Sequence, residues 1–119
     1  MIHLLLHFLL VVVSSHDPIE LRVVGNISVC PAPCDINVIV RIEPHEDNRA
    51  YELVISGEGD YFSDSLIDLD GRFSPATQSI RRFQYISAGT YQIQAILLRT
   101  ASGVEVARAS RNLVVTGRD

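Results

Sequence analysis

From Ile19 onward the apolar residues recur at every second position, not at the three-to-four spacing of a helix. In "INVIVRIE", Ile36, Val38, Val40 and Ile42 fall on one face and Asn37, Arg41 and Glu43 on the other. "TYQIQAILLRT" repeats the pattern, with Tyr91, Ile93, Ala95 and Leu97 inward and Gln92 and Gln94 outward. A period of two marks a half-buried strand, because successive side chains leave a pleated backbone on opposite sides. Both segments are rich in β-branched residues, which pack well on a pleated surface. The whole chain reads as seven strands, at about 20–29, 36–43, 50–56, 62–70, 78–86, 90–100 and 104–116. The clusters between them ("CPAPCD", "PHEDN", "GEGD", "DGRFSPA", "SAG" and "ASG") carry turn residues. No window after residue 16 shows a helical period with caps. Seven short strands at this spacing predict an all-β, antiparallel sandwich. In the last strand Val104 and Val106 share one face, and Ala107 and Ala109 share the other, which predicts a bulge near Arg108.

The first thirteen residues, "MIHLLLHFLLVVV", break from this pattern. The run is shorter than the roughly 20 apolar residues of a membrane-spanning helix, and it suits the apolar region of a secretory signal peptide. Ser14 and Ser15 are small enough for a cleavage site, although no Lys or Arg precedes the run. The expected organisation is a signal peptide over 1–15 and one domain over 16–119. It places the mature protein outside the cytoplasm, in the periplasm, in the medium or on the cell surface, with no membrane span left after cleavage.

Composition narrows the function. Apolar residues make up 47% and charged residues 20% of 119, which is enough to bury a core. All ten basic residues are Arg, and the formal net charge is -4. A mildly acidic chain lacks the basic footprint of nucleic-acid binding. No phosphate-cradling glycine loop, nucleophile elbow or metal-binding His pair is present. The chain is expected to have no cofactor, no catalytic residue and an unidentified protein or cell-surface partner.

Three constellations carry candidate chemistry. Cys30 and Cys34, the only cysteines, flank Pro31 and Pro33. A thioredoxin-like pair is one residue closer and opens a helix, and a closed zinc site needs four ligands. The prolines restrict the loop and bring the pair toward bonding range. The plain reading is a structural disulfide between Cys30 and Cys34 in this turn; free thiols and a redox or metal-handling pair are the alternatives. In "GEGDYFSDSLIDLDG", Asp68 and Asp70 fall on one strand face and are weak candidates for a cation, the plainer reading being a solvated face. His45, Glu46 and Asp47 form a polar loop without a nearby nucleophile. Asn26 begins a glycosylation sequon, and the adjacent Arg81 and Arg82 require an edge, a bulge or a carboxylate partner.

"ISAGTYQIQA" adds a resemblance. Gly89 supplies a tight turn, and Tyr91 follows two residues into the next strand. That is the position of the tyrosine corner of immunoglobulin-like sandwiches. Over about 20–116 the chain is similar to small bacterial immunoglobulin-like domains of the PKD and fibronectin type III group. It has no Trp and no second cysteine in the Tyr91 strand, so the antibody-type core is excluded. The resemblance implies a seven-stranded immunoglobulin-like fold with Gly89 and Tyr91 as a structural corner. It implies a non-catalytic module for binding, adhesion or spacing, and not an enzyme. The alternative is a small exported redox or metal-handling protein using Cys30 and Cys34. A carbohydrate-binding sandwich is disfavoured by the missing Trp.

Overall fold

Two sheets close on one core in the computed structural model, which describes residues 17–78, 80–99 and 104–117. The signal-peptide expectation over 1–15 lies outside the described residues. The strands are β1 (Ile19–Val23), β2 (Val29–Pro31), β3 (Cys34–Ile42), β4 (Asn48–Gly57), β5 (Ser63–Asp68), β6 (Arg81–Ile86), β7 (Gly89–Arg99) and β8 (Val104–Thr116). One sheet has the order β1-β3-β6, and the other has the order β2-β8-β7-β4-β5. The inward faces of β3 and β7 are those read from the alternation: Ile36, Val38, Val40, Ile42, Tyr91, Ile93, Ala95 and Leu97 are all buried in the shared core.

The described residues hold eight strands, not the expected seven. The segment 20–29 is two strands, because the chain turns at Gly25 and Asn26, where φ is 81° and 54°. Both values lie in the left-handed region, which glycine enters freely and Asn more readily than most residues. The turn carries the chain from one sheet to the other. β1 pairs antiparallel with β3, and β2 pairs parallel with β8 through Val29–Val114, Cys30–Val115 and Pro31–Thr116. A purely antiparallel sandwich is corrected to this extent.

The bulge expected near Arg108 falls two residues earlier. Leu97 pairs with Ala107 and Leu98 with Glu105, which leaves Val106 as the extra residue of β8. The bulge resets the alternation, so Ala107 and Ala109 pack on the core while Val104 and Val106 are exposed. Arg82 approaches Asp35 of the neighbouring strand at 3.8 Å, on the edge strand β6. Asn48, the one buried polar residue among those described, is 1% exposed. Its Nδ2 donates to the Glu43 carbonyl at 3.0 Å, and its Oδ1 accepts from Arg99 Nε at 2.9 Å. These bonds satisfy groups whose burial alone is costly.

Candidate functional site

The pair Cys30 and Cys34 sits where the two sheets meet. Cys30 belongs to β2 in the five-stranded sheet, and Cys34 opens β3 in the three-stranded sheet. Pro31, Ala32 and Pro33 join them, with a cis peptide between Ala32 and Pro33. The Ala32 amide donates to the Thr116 carbonyl at 2.9 Å and anchors the loop to β8. The Cα atoms are 5.8 Å apart and the sulfurs are at disulfide distance. The two residues differ in access: Cys34 is 0% exposed within the core, whereas Cys30 is only partly covered. The side chain of Cys30 is therefore the one that solvent, or a thiol carried by solvent, reaches first.

Around Tyr91 the ring is 2% exposed. Its hydroxyl donates to the Ser87 carbonyl at 2.8 Å and accepts from the Tyr61 amide at 3.3 Å. The Tyr61 ring meets it edge-on, with centroids 6.4 Å apart. Gly59 was not singled out from the sequence, yet it makes this approach possible, because a Cβ there would collide with the Tyr91 hydroxyl. Gly89 faces Gly59 across the same gap. The available signal was "GEG", which reads equally well as an ordinary turn.

The remaining candidates lie apart from both groups. Asp68 ends β5, while Asp70 lies beyond the strand, before the 3-10 turn Gly71–Phe73. The shared strand face expected for the two carboxylates ends with β5. The Asp70 amide donates to Ser74 Oγ at 2.5 Å. His45 Nδ1 accepts from the Asp47 amide at 3.0 Å, and Glu46 pairs with Arg72 at 3.1 Å. On the outer face of β4 and β5, the hydrogen-bonded neighbour Asp64 raises the Glu52 pKa above its ordinary value, with burial adding to the effect. Burial likewise raises the Tyr61 hydroxyl.

The fold defines the protein as an all-β, two-sheet domain. No protein-family model and no curated protein sequence matches the chain. Among solved structures it is similar to superoxide reductase (neelaredoxin) from Ignicoccus hospitalis, with TM-score 0.51, 12% identity and coverage of 87% of this chain and 81% of that one. It is also similar to the CARDB domain of a Pyrococcus furiosus protein, solved in complex with di-metal ions, with TM-score 0.50, 15% identity and coverage of 82% and 85%. The CARDB domain belongs to an immunoglobulin-like β-sandwich family, so this chain's fold is consistent with that broader form. Likenesses at this identity speak to the fold alone.

These likenesses correct two expectations. The chain was expected to be a non-catalytic binding, adhesion or spacer module, and not to be an enzyme. A two-sheet scaffold of this form carries superoxide reductase, which is an enzyme, so the fold gives no ground for either expectation.

The chain's own donors do not fit a metal centre of the kind its neighbours suggest. Among the described residues no three His, Cys, Asp or Glu side chains are grouped to hold an ion. Transition metals are selected by converging imidazole and thiolate ligands. The two sulfurs here face each other, and His45 is engaged within its own loop. Among the described residues no helix is long and apolar enough to cross a membrane.

Proposed function

We propose that the chain is a small redox protein whose working group is the Cys30–Cys34 pair, cycling between disulfide and dithiol. The observation that carries this reading is the asymmetry of the pair: the sulfurs are at bonding distance, Cys34 is buried and Cys30 is only partly buried. Thiol–disulfide exchange proceeds by attack of a thiolate on one sulfur through a mixed disulfide. An incoming thiolate attacks Cys30 Sγ, forms a new S–S bond there and releases Cys34, which takes a proton. A second thiol of the donor then displaces Cys30, which takes the second proton. In balance, the dithiol donor gives two electrons and two protons and leaves as its disulfide.

The test is a redox titration of the full chain in glutathione or dithiothreitol buffers, read by alkylation and intact mass. A potential above about -300 mV supports the proposal, because structural disulfides typically lie below that value. A lower potential overturns it. In addition, Cys34→Ser should capture glutathione at Cys30, while Cys30→Ser should capture none.

The scaffold is read as immunoglobulin-like, of the PKD or fibronectin type III kind, with Tyr91 and Gly89 as its corner. The CARDB likeness and the bond from Tyr91 to the Ser87 carbonyl support this reading. Export after removal of residues 1–15 completes the proposal, since disulfides persist in oxidising compartments. N-terminal sequencing from the native host checks it, and a retained Met1 on the soluble protein refutes it.

A further inference from the structure

The sandwich opens between β1 and β8 into a groove of about 460 Å³, and four of the ten arginines line it: Arg22, Arg41, Arg108 and Arg111. The groove exists because β8 is small there. Ala109 occupies an inward position where Leu113 and Val115, further along, fill the core. Arg111 is also at an inward position, cross-strand from the buried Ile93, yet it is exposed. Its side chain lines the groove, as long cationic side chains can while keeping their heads in water.

The charges along the groove are uneven. Asp17 and Glu20 line it toward the start of β1, where Glu20 lies directly opposite Arg41. Glu105 holds Arg108 through two hydrogen bonds of 3.1 and 2.7 Å. The Arg22 side chain has no hydrogen-bond or carboxylate partner among the described residues, and the Arg111 side chain spends only Nη1, on the Ser110 carbonyl at 2.9 Å. Among the described residues no carboxylate lies within ion-pair distance of Arg22, Arg41 or Arg111, so the groove carries unpaired positive charge on a protein whose net charge is -4. Ile39, half-buried and opposite Arg22, gives the groove an apolar side, and the core residues Ile19 and Leu21 lie beneath it.

We propose that this groove binds a phosphate group, with Arg22 and Arg111 taking the oxyanion and the apolar side taking any organic body attached to it. Guanidinium forks match phosphate geometry through paired N–H donors. The volume falls within the range of small-molecule sites. The proposal is independent of the cysteine pair.

The experiment is an amide and arginine Nε–H NMR titration of the full chain at low salt, with inorganic phosphate and with phenyl phosphate. Saturable shifts at Arg22, Ala109 and Arg111 are expected. Tighter binding of phenyl phosphate would assign its ring to the apolar side, and equal binding would restrict the ligand to the oxyanion; both support the site. The double variant Arg22→Gln/Arg111→Gln should weaken binding at least tenfold. Ala109→Leu, which fills the groove, should weaken phenyl phosphate more than inorganic phosphate. Arg72→Gln, outside the groove, should leave affinity unchanged. Shifts that do not saturate, or an equal loss in Arg72→Gln, would overturn the proposal.

Discussion

Replacing Tyr91 by Phe removes one oxygen and keeps the ring. That oxygen holds the Ser87 carbonyl at 2.8 Å and the Tyr61 amide at 3.3 Å. Each buried backbone group left without a partner costs about 1–3 kcal/mol. Both groups are only partly buried, so the low end of that range applies to each, and the expected loss is about 2 kcal/mol. Urea slopes for small domains are about 1–3 kcal/mol per molar, so the midpoint should fall by roughly 1 M. Tyr91→Ala should cost more, about 3–5 kcal/mol, because it also opens a cavity. Tyr61→Phe is the control: no bond to its hydroxyl is formed among the described residues, and it should stay within about 0.5 kcal/mol of the wild type. Gly59→Ala sharpens the test, because its Cβ would strike the Tyr91 hydroxyl. Its cost should shrink in the Tyr91→Phe background, with a coupling of about 0.5–3 kcal/mol. Equilibrium urea unfolding, followed by circular dichroism, measures the wild type and all five variants. If Tyr91→Phe matches the wild type within about 0.5 kcal/mol, the hydroxyl does not close this corner and the reasoning fails.

Three further outcomes are expected. The double variant Cys30→Ser/Cys34→Ser should fold and lose about 2 kcal/mol or less in denaturant unfolding, because the closed loop is short; complete failure to fold would refute this. Asn48→Ala should cost about 1–3 kcal/mol, since it leaves the Glu43 carbonyl and Arg99 without their partner, whereas an unchanged melting curve would show that water replaces the amide. The raised Glu52 pKa means that the folded state holds its proton more tightly than the unfolded state. Stability from this group is therefore lost as pH rises from the ordinary value of 4.5 through the folded one. Asp64→Asn should lower the Glu52 midpoint in a carboxyl-detected NMR titration, and an unmoved midpoint would remove Asp64 as the cause.

Where burial is one-sided, the alternation along the chain is a direct record of the fold. β3 and β7 are legible for that reason: their inward residues face one core and their outward residues face water. The record fails where the backbone leaves the plane of a sheet. Residues 24–28 are all exposed although Val24 and Ile27 are apolar, and the turn at Gly25 and Asn26 was hidden inside an apparent strand. The strand boundary was hidden in a similar way, because β5 stops at Asp68 and Asp70 lies beyond it. The cysteine pair could be found from spacing, but the asymmetry of its exposure could not, since it depends on which sheet each residue joins. The arginine groove was invisible. Arg22, Arg41 and Arg111 lie on three strands, and only the packing of β1 over β8 brings them together. Likewise Asn48 read as part of a polar turn, and its burial follows from the two partners that enclose it.

The parallel pairing of β2 with β8 also sets an order in time. Val29–Pro31 can join a sheet only through Val114–Thr116. A chain made from its N-terminus at about 5–20 residues per second needs roughly 4–16 s to extend from Cys34 to the end of β8. During that interval the two thiols, neighbours in sequence, are already complete, while the strand that will flank Cys30 does not yet exist. An oxidant acting on the growing chain meets both sulfurs uncovered; one acting on the finished protein meets chiefly Cys30.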